Sequence, residues 1–243
     1  MQTEPLFRED AYLVDCDAAV IDVGPDGGIV LDRTVFYPAA GGQPGDTGIL
    51  LADGGEPVPI VSTLAGAAPG AILHIPADGQ RIGTGARVRA RIDWERRHRH
   101  MRMHSALHLL CSLIPFPVTG GAIGADEGRL DFDIEDAGAV DRDRLTEAIN
   151  ALVAADHPIA TRWITDDELA DNPGLVRTMK VKPPSGSGRV RLVAIGKDGA
   201  VDLQPCGGTH VRSTAEIGLL AITKIEKKGR QNRRIRLRFA EPA

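Results

Sequence analysis

The sequence predicts an α+β fold in two parts. A small β-barrel occupies residues 1–90, and an α/β two-layer domain over 91–243 combines an antiparallel sheet with a histidine-bearing helix. Three observations carry this. The first third of the chain is a series of short apolar or alternating runs broken by Gly, Pro and Asp clusters. The run from Met101 to Ser112 reads as helix, with Leu107, Leu109 and Leu110 on it and two histidines one turn apart. The rest mixes further strand runs with one more helical stripe.

Taken in order, Ala18 to Val23, Ile29 to Phe36, Thr47 to Leu51 and Val58 to Thr63 are barrel strands. They are separated by Gly24-Pro25-Asp26-Gly27-Gly28, the Gly41 loop and Asp53-Gly54-Gly55. Arg87-Val88-Arg89-Ala90-Arg91-Ile92 alternates cleanly and predicts a half-buried strand with a basic outer row, after which Asp93 can cap the helix. Leu145, Ile149, Leu152 and Val153 form a second helical stripe, opened by Asp141 and closed by His157-Pro158. Arg129 to Ile134, Pro158 to Ile164, Val190 to Ile195, Gly218 to Ile225 and Arg234 to Phe239 are the remaining strand candidates. Pro183-Pro184-Ser185-Gly186-Ser187-Gly188 has the composition of a mobile loop.

Composition bounds the function. A hydrophobic share of 42% over 243 residues supports real cores. No apolar run approaches the roughly 20 residues of a membrane span, and Met1 to Arg8 lacks the basic start and apolar middle of a signal peptide, so the expected compartment is the cytoplasm. Cys16, Cys111 and Cys206 are too few and too scattered for a disulfide framework. The net charge is −4, yet its distribution is uneven: Lys224 to Arg238 holds eight cations against Glu226, and Arg87 to Arg102 is a second basic cluster. Clusters of this kind flanking a reactive motif favour a polyanionic partner. Oligomeric state is left open by the residues.

His104 and His108 lie four apart on the helix, and Cys206 and His210 lie four apart in Pro205-Cys206-Gly207-Gly208-Thr209-His210, where the glycines favour a tight loop. A lone His-x-x-x-His is more often an ordinary histidine pair. Here three of seven histidines and one of three cysteines fall in two short motifs, and three imidazoles with a thiolate form a good zinc set. The residue after the first histidine is Ser105, which cannot serve as the general base that Glu supplies in His-Glu-x-x-His proteases.

These motifs resemble the editing domain of alanyl-tRNA synthetases and its free-standing relatives, the AlaX trans-editing proteins. The resemblance extends to Asp93-Trp94, Arg96, Arg97 and His100-Met101, to Arg129-Leu130-Asp131-Phe132-Asp133, and to Glu216-Ile217-Gly218. Phe36-Tyr37-Pro38-Ala39-Ala40-Gly41-Gly42-Gln43-Pro44-Gly45-Asp46-Thr47-Gly48 is similar to the family's glycine-rich motif. The likeness covers nearly the whole chain, whose length suits the medium form. It implies zinc-dependent hydrolysis of mischarged tRNA(Ala) at its acceptor end, seryl-tRNA(Ala) foremost and glycyl-tRNA second, with zinc on His104, His108, Cys206 and His210.

Within that reading, Thr119 in Val118-Thr119-Gly120-Gly121 resembles the family's serine-reading residue, and Gly120 and Gly121 are expected to leave room for the aminoacyl group. The alternative for Thr119 is a turn after Pro117. Gly41 and Gly42 let backbone approach a ligand, and Gln43 offers both a donor and an acceptor for shaping the site. Lys227, Lys228, Arg230 and Arg233 are the expected phosphate contacts. Other classes also fit: a zinc-stabilised tRNA-binding module without catalysis, a metallohydrolase for a small ester or amide, and a purely structural zinc protein.

Overall fold

A computed structural model describes residues 2–135, 138, 140–179 and 188–240. The fold is mixed α+β, and the chain divides into two compact units, Met1–His98 and Arg99–Ala243. Of the expected loop at 183–188, only Gly188 falls among the described residues.

In the first unit the strands are β1 (Glu4–Pro5), β2 (Asp15–Val23), β3 (Ile29–Leu31), β4 (Arg33–Thr34), β5 (Gly48–Ala52), β6 (Val58–Ala65), β7 (Ile72–Pro76) and β8 (Arg87–Ile92). Six of them close a barrel in the order β2-β3-β7-β6-β5-β8, while β1 pairs with β4. Val20, Ile29, Leu31, Phe36, Leu50, Ile60, Val88, Ala90 and Ile92 fill it. β8 alternates as expected, with Val88, Ala90 and Ile92 buried and Arg87, Arg89 and Arg91 exposed. It pairs along its length with β2 and β5, so the unit runs beyond the expected boundary at residue 90.

The expected run Ile29 to Phe36 is broken at Asp32, whose carboxylate accepts the N–H groups of Ala19 and Arg33 at 2.8 and 2.9 Å. A side chain that satisfies local backbone donors competes with the ladder, and the strand splits into β3 and β4 there. β7 was not expected: its inward residues are Ile72 and His74, and a buried histidine disguises the alternation.

α1 spans Trp94–Leu113 and starts earlier than Met101. Asp93 caps it, accepting the Arg96 N–H at 3.1 Å. Its first turns lack an apolar stripe because their buried positions are Arg97 and His100, so in the sequence only the capping aspartate announced them. Pro115 and Pro117 follow closely and prevent continuation.

The second unit adds β9 (Val118–Ile123), β10 (Glu127–Asp133), α2 (Arg142–Ala154), β11 (Ile159–Thr165), α3 (Asp166–Asp171), β12 (Arg189–Ile195), β13 (Asp202–Pro205), β14 (Leu220–Lys227) and β15 (Asn232–Phe239). They make two antiparallel sheets, β14-β15-β10-β9 and β11-β12-β13. α1 lies against the first at Gly128, where an added Cβ would stand 2.7 Å from the Met103 sulfur and 3.3 Å from Leu107. Only glycine permits that approach. α2 opens on Asp141, which accepts the Arg144 N–H at 2.8 Å. It grips β14 through Asn150, whose amide exchanges bonds of 2.8 and 2.9 Å with the Leu220 carbonyl and N–H. Among the described residues no helix is long and apolar enough to cross a membrane.

Candidate metal centre

Met103 and Leu107 face the sheet at Gly128, which leaves the next positions along α1, His104 and His108, on the neighbouring face. The two rings lie 5.2 Å apart between centroids, and His210 closes the group at 4.2 Å from His104 and 4.6 Å from His108. Cys206 completes it, with Sγ 3.5 Å from His104 Nε2 and 3.3 Å from His210 Nε2. One donor atom from each of the four residues lies within 4.8 Å of the others, a set that can hold a metal ion. A tetrahedral ion with usual zinc–sulfur and zinc–nitrogen bonds holds those two atom types about 3.5 Å apart, so the spacing fits.

The loop presenting Cys206 is fastened to β12. Arg191 is buried, and its Nη1 donates to the carbonyls of Cys206 and Gly208 at 2.9 Å each, while the Cys206 N–H donates to the Arg191 carbonyl at 3.1 Å. The Gly208 N–H points at the sulfur from 3.4 Å.

A further layer sits behind the histidines. His108 Nδ1 meets Asp202 Oδ2 at 2.8 Å, and Gln204 Nε2 donates to the same oxygen at 2.8 Å. Asp202 and Gln204 stand two apart on one face of β13, and Cys206 follows in the loop that begins directly after the strand ends at Pro205. His210 Nδ1 meets Ser105 Oγ at 3.1 Å, and that oxygen also accepts the Val211 N–H at 3.3 Å. Thus the serine that replaces the protease glutamate holds the far histidine. Sequence reading missed Asp202, Gln204 and Arg191, although polar residues at alternate positions leading into a ligand were a usable signal.

Charge is organised to match. Burial works to raise the Cys206 thiol, but His104 and His210 beside it hold it well below the ordinary thiol value. Burial and then His104 push His210 well below the usual imidazole value. At His108 burial opposes charge, yet Asp202 and Cys206 raise the ring to about 10. A cation entering the group displaces that proton.

The other expected residues are placed as follows. Thr119 lies on β9, a strand and not a turn, half-buried, and its Oγ1 donates to the Asp131 carbonyl at 3.2 Å and approaches Asn232 Oδ1 at 3.4 Å. Gly120 and Gly121 make room for the neighbouring strand: an added Cβ would stand 3.4 Å from an Asp131 carboxylate oxygen and 2.9 Å from Leu130. In the first unit, Gly41 and Gly42 are exposed with φ of +57° and +85°, in a turn closed by mutual backbone bonds of Ala40 and Gln43 at 2.9 and 3.1 Å. Gln43 is only 2% exposed.

Lys227, Lys228 and Arg230 are exposed at the β14–β15 tip. Arg233 is buried, and its Nη2 donates to the Glu135 carbonyl at 3.1 Å, so it is withdrawn from the expected phosphate surface. The period-two series Arg233, Ile235 and Leu237 already marked it as inward. Its neighbours are internally paired: Arg234 and Arg129 hold Asp131 at 2.8 and 2.7 Å, and Arg236 holds Glu226 at 2.9 Å. Arg236 and then Lys224 lower the Glu226 carboxyl to about 2.

Comparison with known proteins shows the family. Residues 190–236 match the threonyl and alanyl tRNA synthetase second additional domain, and residues 14–96 match class II (A) tRNA synthetases. Alanyl-tRNA editing protein AlaX-M of Methanosarcina acetivorans is 37% identical over 96% of this chain and 97% of its own. Its namesake from Saccharolobus solfataricus is 30% identical over 96% and 97%. Alanine–tRNA ligase of Archaeoglobus fulgidus is 35% identical over 98% of this chain but only 26% of its own. With likeness running the length of both partners in the AlaX-M matches, the chain belongs to the alanyl-tRNA editing proteins of the AlaX-M family.

Proposed function

We propose that the chain is a free-standing, cytoplasmic editing factor that hydrolyses the ester joining a non-cognate amino acid to tRNA(Ala), seryl-tRNA(Ala) foremost and glycyl-tRNA second. The observation that carries this is the convergence of His104, His108, Cys206 and His210 in an alanyl-tRNA editing family member. A pocket that holds alanine cannot strongly reject a slightly larger analogue, so a second, hydrolytic site supplies the missing discrimination.

Zinc is the ion these donors suit best, since three imidazoles and a thiolate match its preferences. Lewis acidity and fixed positive charge are what zinc supplies there when bound. In the reaction, water oxygen joins the ester carbonyl carbon, the bond to the ribose oxygen breaks, and a proton passes to that oxygen. Thr119 is the proposed reader of the seryl hydroxyl: its Oγ1 spends its hydrogen on the Asp131 carbonyl and keeps lone pairs to accept another. The exposed backbone of Gly41 and Gly42 and the cations Lys227, Lys228 and Arg230 are the proposed contacts to tRNA.

The test is to measure metal content and then the deacylation of seryl-, glycyl- and alanyl-tRNA(Ala) with one preparation. About one zinc per chain and preferential loss of the seryl ester are expected. A zinc-loaded chain that leaves all three esters intact sinks the enzymatic reading. It would instead support a zinc-stabilised tRNA-binding module, which the presence of four protein donors, enough to fill a tetrahedral shell, favours as the second reading.

A further inference from the structure

A histidine can bind a metal through either ring nitrogen, and the partner of the other nitrogen decides which. In this chain His108 and His210 each carry such a partner. His108 Nδ1 lies 2.8 Å from Asp202 Oδ2, with both side chains buried, and Nε2 is left for the group containing Cys206. The Asp202 oxygen is itself fixed by Gln204 Nε2 at 2.8 Å, so the carboxylate cannot swing without breaking a second bond. His210 turns Nε2 to the Cys206 sulfur at 3.3 Å and Nδ1 to Ser105 Oγ at 3.1 Å, an oxygen held by the Val211 N–H.

From this geometry we infer that Asp202 is a positioning residue of the metal centre, fixing His108 as an Nε2 ligand and strengthening it as a donor, with Ser105 as its counterpart on His210. The inference rests on the metal reading above and deepens it. It also explains why β13 bears two buried polar side chains, Asp202 and Gln204, in a position where apolar residues would pack at less cost. Asp202 acts through His108 and touches neither the ester nor the ion. The two orienting groups differ in kind. Asp202 brings a carboxylate, which increases the basicity of its imidazole, whereas Ser105 brings a neutral hydroxyl that orients more than it strengthens. Removing the carboxylate is therefore the more damaging change.

The experiment uses the whole chain, stripped of metal and reloaded. Zn2+ affinity is read by competition with a chromophoric chelator, and Co2+ is added separately as a spectroscopic probe of the donor set. Asp202→Ala should weaken Zn2+ binding by about 10- to 100-fold and shift the visible Co2+ bands, and Ser105→Ala should weaken it less. Asp202→Asn keeps an acceptor but loses the charge, so a partial loss within about tenfold is expected, with the thermal midpoint of the metal-free chain close to native. A purely structural Asp202 would lower that midpoint and leave the Co2+ bands of the folded fraction unchanged. If Asp202→Ala fails to fold, the Asn variant decides, and native Zn2+ affinity in it overturns the inference. A native chain that binds neither ion sinks the metal reading itself, and this inference with it.

Discussion

Arg97 and Asp46 form a wholly buried ion pair in the first unit. Arg97 Nε stands 3.0 Å from both carboxylate oxygens, and Nη2 also meets Asp46. The guanidinium donates further to the carbonyls of Ala11 and Val35 at 2.8 and 2.7 Å, and Asp46 accepts the Tyr37 N–H at 2.6 Å. The pair thereby ties the first turns of α1 to both ends of the glycine-rich stretch. Removing one partner strands a charge in the core, so Arg97→Met or Asp46→Ala should each cost about 3–5 kcal/mol in urea unfolding. Arg97→Met combined with Asp46→Asn should cost clearly less than the sum of the single changes. Single variants within about 1 kcal/mol of native would show that the pair contributes little.

The native chain should purify with bound metal, and His104→Ala and Cys206→Ala should each purify without it, as measured by elemental analysis. Cys111→Ser is the control. Burial pushes the Cys111 thiol up to about 11, and it lies outside the ligand group, so its variant should keep native metal content. Full occupancy and activity in either ligand variant would remove that residue from the site.

Thr119→Val keeps shape and removes the hydroxyl. Seryl-tRNA(Ala) deacylation should slow and the serine-to-alanine ratio should narrow, with metal unchanged. Loss of the bond to the Asp131 carbonyl should also lower stability by about 1 kcal/mol. A native ratio would locate the hydroxyl reader elsewhere.

Replacing Lys227, Lys228 and Arg230 with Ala should weaken tRNA binding and flatten its dependence on log salt by up to about 3. Arg234→Ala should leave that slope alone, because its guanidinium is committed to Asp131 at 2.8 Å. An unchanged slope in the triple variant would make the hairpin tip a solvated surface only.

His74 gives the barrel a pH dependence. Its Nδ1 donates to the Ile29 carbonyl at 3.0 Å and its Nε2 accepts from Thr34 Oγ1 at 2.8 Å, an arrangement only the neutral ring makes. Burial lowers its pKa from 6.5 to about 4, against a smaller opposing effect of the Ile29 carbonyl. Below 6.5 the unfolded chain takes up a proton that the folded chain refuses. The stabilisation is therefore complete above 6.5 and is lost as pH falls towards 4, by about 3 kcal/mol. Chemical unfolding across that range should show this slope in the native chain and lose it in His74→Gln. Parallel profiles would assign the slope to other groups.

Much of this was legible because period and type agreed. β8 alternates without exception, and α2 carries its own capping aspartate, so both were visible at their observed places. The group of four side chains that can hold a metal was readable from two spacings of four. What escaped was polar residues doing buried work. Arg97 and His100 took the apolar stripe from the first turns of α1, which only the Asp93 cap announced, while His74 masked β7, and Asp202 and Gln204 masked β13. β9 was absent from the strand candidates because Gly120 and Gly121 interrupt its pattern, whereas their bareness serves Asp131 and Leu130 across the ladder. A hydrophobic pattern records which side chains avoid water, not which polar ones find partners away from it.

Because β13 sends Asp202 and Gln204 to one side, its register against β12, with Val193 opposite Gln204 and Leu192 opposite Pro205, determines which side chains stand behind His108. A slip of one residue turns that whole face over. The loop that presents Cys206 begins directly after β13, so the same pairing also sets where the thiol stands. Should the proposed metal bind, its content in a preparation becomes a census of correctly paired molecules, and chelator titration doubles as an assay of how faithfully this sheet has assembled.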